Sequence, residues 1–402
     1  MYKINKKIGK NSTSVQVAQI CVSEVRNGSF SSLPGDPDPS PKKAEKYRIC
    51  LLTTGPYLLI IITERSCAAT REKRKGTVTS MYYIGVDLGG TNIAVGIVDE
   101  NNAIVKKAST PTKPERGADA IVADMAAVAK SLMADLGITA ADIGWAGVAS
   151  PGTVDHERGV VVYANNIPFL DYPLADNLSA LLGGIPVHAE NDANAAAKAE
   201  AIAGAARGAR YSVMITLGTG LGGGIVIDGE VYSGFNFAGA ELGHVVIEKD
   251  GRQCSCGRKG CWEAYSSATG LVNITKDRIA DARRDGRATV MEDMIGGDLS
   301  RVSARTAFTA MKQGDEVAAE VVDEYISYLA CGIGNIINIF QPEILTIGGG
   351  ICNEGDYLLK PLLQKVFYVE TYTKEGTPQT EIKIAELGND AGIIGAAVLG
   401  RH

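Results

Sequence analysis

The sequence predicts an α/β protein built from two related domains that face one cleft. Three observations carry this prediction: apolar strands alternate with helical segments, glycine turns join several strands, and part of the pattern recurs 129 residues later. Alternating strands and helices indicate helices packed on sheets, and a repeated pattern indicates two such arrangements. At 402 residues the chain also exceeds what one compact core usually holds.

The charge of the chain is distributed unevenly. The net charge is −6, but residues 1–80 contain 14 Lys and Arg against 6 Asp and Glu, which leaves −14 for the remainder. An acidic body argues against nucleic acid as the main partner. No run reaches the roughly 18 apolar residues that a membrane span needs. Because the cysteine spacing outside 254–261 suggests no disulfide framework, we expect a cytoplasmic protein.

Residues 1–80 differ from the rest of the chain. They contain the linker-like tract SSLPGDPDPSPKK, a broken apolar run at 49–63 and the basic run REKRK. We expect an N-terminal extension that is disordered or precedes a natural start at Met81; a basic regulatory arm is the alternative. The two predicted α/β domains then occupy 81–200 and 201–402, and the last helix could return to the first domain.

The first domain begins with a strand pattern. Residues 81–110 predict three strands, separated by a glycine turn and a DENN turn. Apolar residues at helical spacing from 118 to 136, followed by glycine, predict a helix. A strand at 143–148 runs into SPGTVD, HAEND closes another strand, and NAAAKAEAIAGAA is an alanine-rich helix.

The second domain opens with an echo of the first. In YSVMITLGTGLGGGIVIDGEVY, the stretch Ile215–Gly218 aligns with Val86–Gly89, and Val226–Asp228 aligns with Ile97–Asp99. We interpret this as an internal duplication, although two unrelated glycine hairpins would give the same pattern. Residues 316–340 predict a long helix, EILTIGGGI a buried strand that ends in glycines, and LGNDAGIIGAAVLG a final helix.

The glycine turns are candidates for a nucleotide site. Backbone N–H groups in such turns can bind phosphate oxygens, and a strand-end carboxylate suits Mg²⁺. No G-K-[ST] follows any of them, so none is a P-loop. Each turn alone could be purely structural. The predicted ligands of a nucleotide and its Mg²⁺ are Asp87, Gly89, Gly90, Thr91, Asn92, Gly218, Thr219, Gly220, Gly349 and Gly350.

Asn191 and Asp192 lie at a predicted strand-to-helix junction. One interpretation makes Asp192 a helix N-cap, a role that aspartate performs well. The other makes it a general base, because phosphoryl transfer to an alcohol needs one carboxylate to accept the hydroxyl proton.

Three of the eight cysteines fall within eight positions. The ligands His244, Cys254, Cys256 and Cys261 supply one nitrogen and three sulfurs, as structural Zn²⁺ prefers. Four protein ligands leave no position for water, so the zinc would fold the 244–261 loop rather than perform chemistry; reduced cysteines without metal are the alternative. Glu241 and Glu263 flank this loop as hydroxyl acceptors or as ordinary surface glutamates.

From Met81 onward the chain resembles the ROK family (repressors, open reading frames and kinases), and looks most like its bacterial ATP-dependent glucokinases. The resemblance rests on DLGGTN, GVASPGTVD, END, LGTGLGGG, the ExGH of 241–244, the CxCGxxGCxE of 254–263 and the terminal GNDAGIIGAA. These motifs extend over about 320 residues.

The resemblance implies an actin-like (ribonuclease H-like) duplicated two-domain sugar kinase fold, with the sugar in the interdomain cleft. It implies that Asp192 is the catalytic base on the 6-hydroxyl of a hexose, and that His244 contacts both zinc and sugar. A homodimer or higher homo-oligomer is a further expectation of the resemblance. The implied sugar contacts are Gly152, Asn165 or Asn166, Asn191, Asp192, Glu241, His244 and Glu263.

The resemblance also leaves alternatives. Repressor members of the family carry an N-terminal DNA-binding region about as long as residues 1–80, but that tract lacks two adjacent amphipathic helices around a short turn. We therefore expect phosphorylation of D-glucose, with no nucleic-acid or membrane partner. A sugar-binding module without turnover, or a kinase for N-acetylmannosamine, N-acetylglucosamine, fructose or allose, is the alternative.

Overall fold

The computed structural model describes residues 16–20, 47–54, 57–64, 81–372 and 376–401. The chain forms two compact units, Met1–Val78 and Thr79–His402. In the first unit, three strands form an antiparallel sheet in chain order: β1 (Gln16–Ile20), β2 (Tyr47–Thr54) and β3 (Tyr57–Glu64). The other residues of the predicted N-terminal extension, and with them the disorder expected there, lie outside the described residues.

The second unit combines strands and helices throughout its length. Its strands are β4 (Tyr82–Leu88), β5 (Asn92–Val98), β6 (Ile104–Pro111), β7 (Ile143–Ser150), β8 (Thr153–Asp155), β9 (Val160–Tyr163), β10 (Leu170–Tyr172), β11 (Val187–Asn191), β12 (Ser212–Leu217), β13 (Leu221–Ile227), β14 (Glu230–Val231), β15 (Ile344–Gly348) and β16 (Glu381–Ile384). Its helices are α1 (Ala118–Leu136), α2 (Leu174–Leu181), α3 (Asp192–Ala203), α4 (Glu263–Ser266), α5 (Ala268–Asp285), α6 (Val290–Ile295), α7 (Thr306–Met311), α8 (Glu316–Phe340), α9 (Asp356–Lys365) and α10 (Ala391–Ala397).

Two five-stranded sheets of the second unit share one topology. The first sheet has the order β11-β7-β4-β5-β6, and the other has the order β14-β13-β12-β15-β16. In both, the first three strands in the chain form an antiparallel meander, and the last two add in parallel on the other side of the first strand. Strands β5 and β13 lie 129 residues apart at both ends. The predicted duplication is therefore confirmed, and the fold agrees with the predicted duplicated α/β class.

Each sheet supports its own hydrophobic core. The first core buries β4, β5, β7 and β11 under α1 and α2, and the short sheet β8-β9-β10 adds to it. The second core packs β12, β13 and β15 against α5, α8 and α9. Helix α1 ends at Gly137, whose left-handed φ of 66° allows the backbone to leave the helix. None of the helices in the described part of the chain has the length and apolar character that crossing a bilayer requires.

Helices α3 and α10 pack closely against the sheets and against each other. A β-carbon placed on Gly147 of β7 would lie 1.8 Å from the Ala396 carbonyl oxygen of α10, so the helix backbone touches the sheet backbone. Similarly, a β-carbon on Gly395 would lie 2.1 Å from the Ala195 carbonyl oxygen of α3. The C-terminal helix thus contacts the first sheet, and both helices need small residues at these crossings.

We predict that Gly147→Ala destabilises the protein because its new methyl group must displace the α10 backbone. Overpacking of this kind costs about 1–3 kcal/mol, so the midpoint of urea unfolding should fall. The control is Gly350→Ala, where a β-carbon meets no atom within 4 Å. Equal midpoints for the two variants would contradict the proposed close packing of α10.

Candidate active site

The junction between β11 and α3 presents Asp192 at the start of the helix. Asn191, not Asp192, is the N-cap: its Oδ1 accepts hydrogen bonds from the backbone N–H groups of Ala193 at 2.9 Å and Asn194 at 3.2 Å. Its Nδ2 donates to the Gly152 carbonyl oxygen at 3.0 Å. The capping role considered for Asp192 thus belongs mainly to its neighbour, although the Ala193 N–H also lies 2.8 Å from Asp192 Oδ1.

The Asp192 carboxylate is accessible to solvent but has many protein atoms around it. Its residue is exposed, yet the density of nearby protein atoms partly removes the carboxylate from water. This partial burial raises the pKa of Asp192 above 3.8, backbone hydrogen bonds from Ala193 lower it, and the charge of Glu241 raises it further. A carboxylate with a raised pKa is a stronger proton acceptor, as a general base requires.

Asp87 lies at the end of β4 and faces the same region. Burial raises the pKa of Asp87 to about 6, and the negative charge of Asp192 adds to the rise. A β-carbon on Gly392 of α10 would lie 2.4 Å from Asp87 Cγ, so the start of that helix abuts the carboxylate. A cation beside Asp87 would relieve the repulsion between these acids, and a carboxylate is a ligand that Mg²⁺ accepts.

The first glycine hairpin is held from behind by Thr112. The Thr112 hydroxyl donates to the Gly89 carbonyl oxygen at 2.7 Å, and its backbone N–H donates to the Thr91 carbonyl oxygen at 3.0 Å. Thr91 and Asn92 are exposed at the turn. A β-carbon on Gly90 would lie 3.3 Å from Asn166 Cβ. Asn166 therefore lies beside the hairpin.

Two more of the predicted sugar contacts have local partners. Asn165 Oδ1 accepts a hydrogen bond from the Tyr163 hydroxyl at 2.7 Å, next to its exposed neighbour Asn166. Gly152 has a φ of 94°, and a β-carbon there would lie 2.0 Å from the Tyr163 carbonyl oxygen. Only glycine fits this position, which brings its carbonyl group to Asn191.

The second glycine hairpin lies beside the third glycine tract. At the tip of this hairpin, the Thr219 carbonyl oxygen accepts a hydrogen bond of 2.7 Å from the Thr269 hydroxyl. A β-carbon on Gly349 would lie 2.3 Å from the Leu217 carbonyl oxygen. Gly349 therefore lies against the end of β12, where the second hairpin begins.

The second hairpin also contacts the start of α3. A β-carbon on Gly222 would lie 3.7 Å from Ala193 Cβ, one residue beyond Asp192. Both hairpins therefore lie close to the three acidic residues Asp87, Asp192 and Glu241. The first hairpin follows Asp87 in the chain, and the second contacts Ala193, which follows Asp192.

Glu263 is fixed by both the second hairpin and the cysteine loop. Its Oε2 accepts a hydrogen bond from the Leu221 N–H at 3.0 Å, and its Oε1 accepts one from the Ser255 hydroxyl at 3.1 Å. Gly220 lies against the same carboxylate. The sequence alone left Glu263 undecided between a ligand and a surface residue, whereas these contacts make it an oriented, half-buried carboxylate.

The ligand atoms of His244, Cys254, Cys256 and Cys261 all lie within 4.8 Å of one another. His244 Nδ1 is 3.7 Å from Cys254 Sγ, and the Sγ atoms of Cys256 and Cys261 are also 3.7 Å apart. A tetrahedron with Zn–S bonds of about 2.3 Å has edges of about 3.8 Å. The four residues therefore fit a zinc ion, and no other group of this kind occurs among the described residues.

A cavity of about 540 Å³ adjoins the second hairpin and the cysteine loop. Its walls include Thr219, Gly220, Cys254, Ser255 and Glu263, and the start of α5 closes one side. The site thus offers backbone N–H groups and threonine hydroxyls for phosphates, and carboxylates for sugar hydroxyls. Asp192 is not among the residues that line this cavity.

Sequence reasoning missed two residues behind the site. Glu190 is buried, and it accepts hydrogen bonds from the Asn191 N–H at 2.8 Å and from Asn194 Nδ2 at 3.1 Å. His156 lies 3.1 Å from its other oxygen. Glu190 is the first residue of END, and His156 directly follows SPGTVD, but their pairing across 34 positions has no local signal.

Comparison with known proteins identifies the family. The glucokinase of Streptomyces coelicolor is 37% identical over 323 residues, which cover 79% of this chain and 97% of that protein. The glucokinase of Thermotoga maritima is 37% identical over 327 residues, covering 79% and 96%. A ROK family glucokinase from Streptomyces griseus, solved with glucose and AMPPNP, is 36% identical with a TM-score of 0.64, covering 80% of this chain and 99% of that one. Residues 83–402 match the ROK family, and the chain belongs to it.

Proposed function

We propose that this protein is an ATP-dependent glucokinase that transfers the γ-phosphoryl group of ATP to the 6-hydroxyl of D-glucose. One observation supports the proposal: Asp192, a carboxylate with a raised pKa, interacts with Asp87 next to the first glycine hairpin and with Glu241, and the residue after it, Ala193, adjoins the second hairpin. Similarity to glucokinases over nearly their whole length supports the same reaction.

In the proposed reaction, Asp192 accepts the proton of the 6-hydroxyl as that oxygen attacks the γ-phosphorus. The bond from the γ-phosphorus to the β,γ-bridging oxygen breaks, and ADP leaves with the electron pair. The protein contributes mainly positioning and charge stabilisation, because phosphoryl transfer needs little covalent participation by side chains. Asn191 caps α3 and so holds the backbone that carries Asp192.

The two hairpins bind the phosphate chain in this proposal. Backbone N–H groups and the Thr91 and Thr219 hydroxyls donate to phosphate oxygens, where negative charge accumulates. Asp87, with its pKa raised to about 6, is the residue that would hold Mg²⁺ directly or through water. When bound, the ion neutralises phosphate charge. ATP is thus the nucleotide that we propose for the 217–224 and 349–350 turns.

In this proposal, polar side chains orient glucose. Glu241, Glu263, Asn191 and Asn166 are the groups that we propose to bind its hydroxyls, with Gly152 and His244 at the edge of the sugar site. Carboxylates are strong acceptors of hydroxyl donors. Closure of the cleft would exclude water, a smaller nucleophile that competes with the 6-hydroxyl.

We also propose that His244, Cys254, Cys256 and Cys261 hold a structural zinc ion. The 3.7 Å separations within the cluster support tetrahedral coordination. Zinc would supply folding energy to the loop, and thereby the position of Glu263, which is bonded to Ser255 in the same loop. Thiolate ligands need a reducing compartment, which supports a cytoplasmic location.

A sugar-responsive repressor remains the second candidate by family resemblance, but no specific observation favours it. The described segments of residues 1–78 are strands, and a helix-turn-helix needs two helices. The carboxylate that a kinase requires is also present at Asp192. Homodimer formation stays a prediction. Among the hexoses, we expect glucose to give the highest kcat/KM in a coupled ADP-release assay that includes mannose, fructose and the N-acetylated sugars.

Asp192→Asn should lower kcat by about 10²–10⁴-fold, the usual contribution of a general base. Glucose binding, measured by calorimetry, should be largely retained because the amide preserves shape. The matched control is Asp176→Asn in the exposed first turn of α2, which should leave kcat unchanged. Near-normal turnover by the Asp192 variant would remove this residue from the base role.

The dependence of kcat on pH should reflect the protonation of Asp192. Because its pKa is raised by burial and by Glu241, kcat should fall with decreasing pH at values above the ordinary aspartate pKa of 3.8. Glu241→Gln removes one negative charge and should move this acid limb to lower pH. Glu316→Gln, an exposed change on α8, is the control. An acid limb that does not move in the Glu241 variant would contradict the charge coupling.

Removal of the metal should disorder the 244–261 loop and weaken glucose binding. Chelation and Cys256→Ser should both lower the zinc content and raise the glucose Kd, since Glu263 loses its support. Cys331→Ser, outside the cluster, should change neither quantity. Unchanged glucose affinity in protein that atomic absorption shows to be free of metal would count against this role.

A further inference from the structure

His156 lies where three segments of the site meet. It follows β8 directly, and its Nδ1 is 3.1 Å from Glu190 Oε2 on β11. The same nitrogen is 3.4 Å from the Ser233 hydroxyl, and the imidazole ring meets the Phe237 ring edge-on at a centroid distance of 5.0 Å. Ser233 and Phe237 belong to the 232–240 loop, which follows β14 in the second half of the protein.

Glu190 connects His156 to the junction between β11 and α3, where Asp192 lies. It is only 4% exposed, and its Oε1 accepts hydrogen bonds from the Asn191 N–H and from Asn194 Nδ2. Its Oε2 faces His156. A buried carboxylate is costly unless it is bonded or paired, so loss of the histidine donor would leave this oxygen undersatisfied and loosen the junction before Asp192.

The 232–240 loop is conformationally constrained around the same histidine. Buried Ser233 accepts a backbone hydrogen bond from Gly239 at 2.7 Å, which closes the loop on itself. Phe237 has a φ of 60° and Ala240 has a φ of 63°. Residues other than glycine rarely adopt such left-handed values unless neighbouring contacts stabilise them. Glu241, a proposed sugar ligand, comes next in the chain.

A proposed sugar contact lies beside each of the three segments that meet at His156. Gly152 precedes β8, Asn191 follows Glu190, and Glu241 follows the loop. We propose that His156 is a positioning residue for the sugar: its imidazole links Glu190 to the 232–240 loop and so sets the distance between Asn191 and Glu241. This inference rests on the proposed sugar kinase function.

The charged surroundings of His156 favour its imidazolium form. The hydrogen bond with Glu190 raises the pKa of His156 above 6.5, burial opposes the rise, and the charges of Glu190, Glu157 and Asp155 add to it. Further charged or titratable groups line an adjoining cavity of about 300 Å³, namely His188, Lys198 and Glu230. Because the pKa is raised, the charge-assisted link is complete at low pH, and it weakens as pH rises through that pKa, since a neutral imidazole donates from Nδ1 without its positive charge.

The expected signature is a change in glucose KM rather than kcat. In the wild-type protein, glucose KM should increase as pH rises through the pKa of His156. His156→Ala should raise glucose KM by roughly 10-fold, the size of one hydrogen bond to a charged group. It should also abolish the pH dependence of KM, while kcat and the KM for ATP change by less than about 3-fold.

Two further variants separate positioning from general destabilisation. His156→Asn places a neutral amide N–H near the position of Nδ1, so its glucose KM should lie near the wild-type value at high pH, below that of His156→Ala, and should no longer vary with pH. His188→Asn makes the same change across the cavity, away from the 232–240 loop, and should leave glucose KM and its pH dependence as in wild type. Thermal unfolding of each variant checks that it is folded.

The inference is overturned if folded His156→Ala keeps the wild-type glucose KM and pH profile, or if it lowers kcat with KM unchanged. It is also overturned if His156→Asn is as impaired as His156→Ala, because the Glu190 link would then not be the cause. Failure of the proposed function looks different: the wild-type protein itself would release no ADP with glucose.

Discussion

The position of Asp192 depends on backbone contacts that only very small residues permit. Helix α3 runs from Asp192 along the second sheet, where a β-carbon on Gly224 would lie 2.7 Å from the Ala193 carbonyl oxygen. Its other side meets α10, where Gly395 admits the Ala195 carbonyl group. Helix α10 in turn rests on Gly147 of the first sheet. Such contacts leave α3 little freedom to shift, so the carboxylate at its start has a defined place relative to both hairpins.

The same packing gathers negative charge. Burial raises the pKa values of Asp87 and Asp192, and the charge of Asp192 on the first and of Glu241 on the second adds to the rise. Without ligands this arrangement costs free energy, since like charges repel and partial burial removes water. A cation at Asp87 and sugar hydroxyls at Glu241 would offset that cost. The electrostatics of the cleft therefore favour the combination of substrates that the proposed reaction requires.

Local patterns in the sequence predicted much of the fold. The helices over 118–136 and 316–340 have the predicted bounds, because a glycine follows one and Gln341-Pro342 follows the other. The cysteine cluster was also predictable from ligand spacing, and the close approach of its four ligand atoms agrees with it. Contacts between distant segments were not predictable. Nothing near Asp87 in sequence indicates Asp192, and nothing near Glu190 indicates His156, because packing of whole elements creates those pairs. The strands β2 and β3 also cover most of the run at 49–63, which the sequence showed only as a broken apolar stretch.

The most direct test of this account is a crystal structure with glucose and a non-hydrolysable ATP analogue. The account predicts the Asp192 carboxylate within about 2.6–3.2 Å of the glucose 6-hydroxyl, the γ-phosphate in line beyond that oxygen, and the phosphate chain between the two glycine hairpins. A different carboxylate at the 6-hydroxyl, or phosphates bound away from either hairpin, would contradict it.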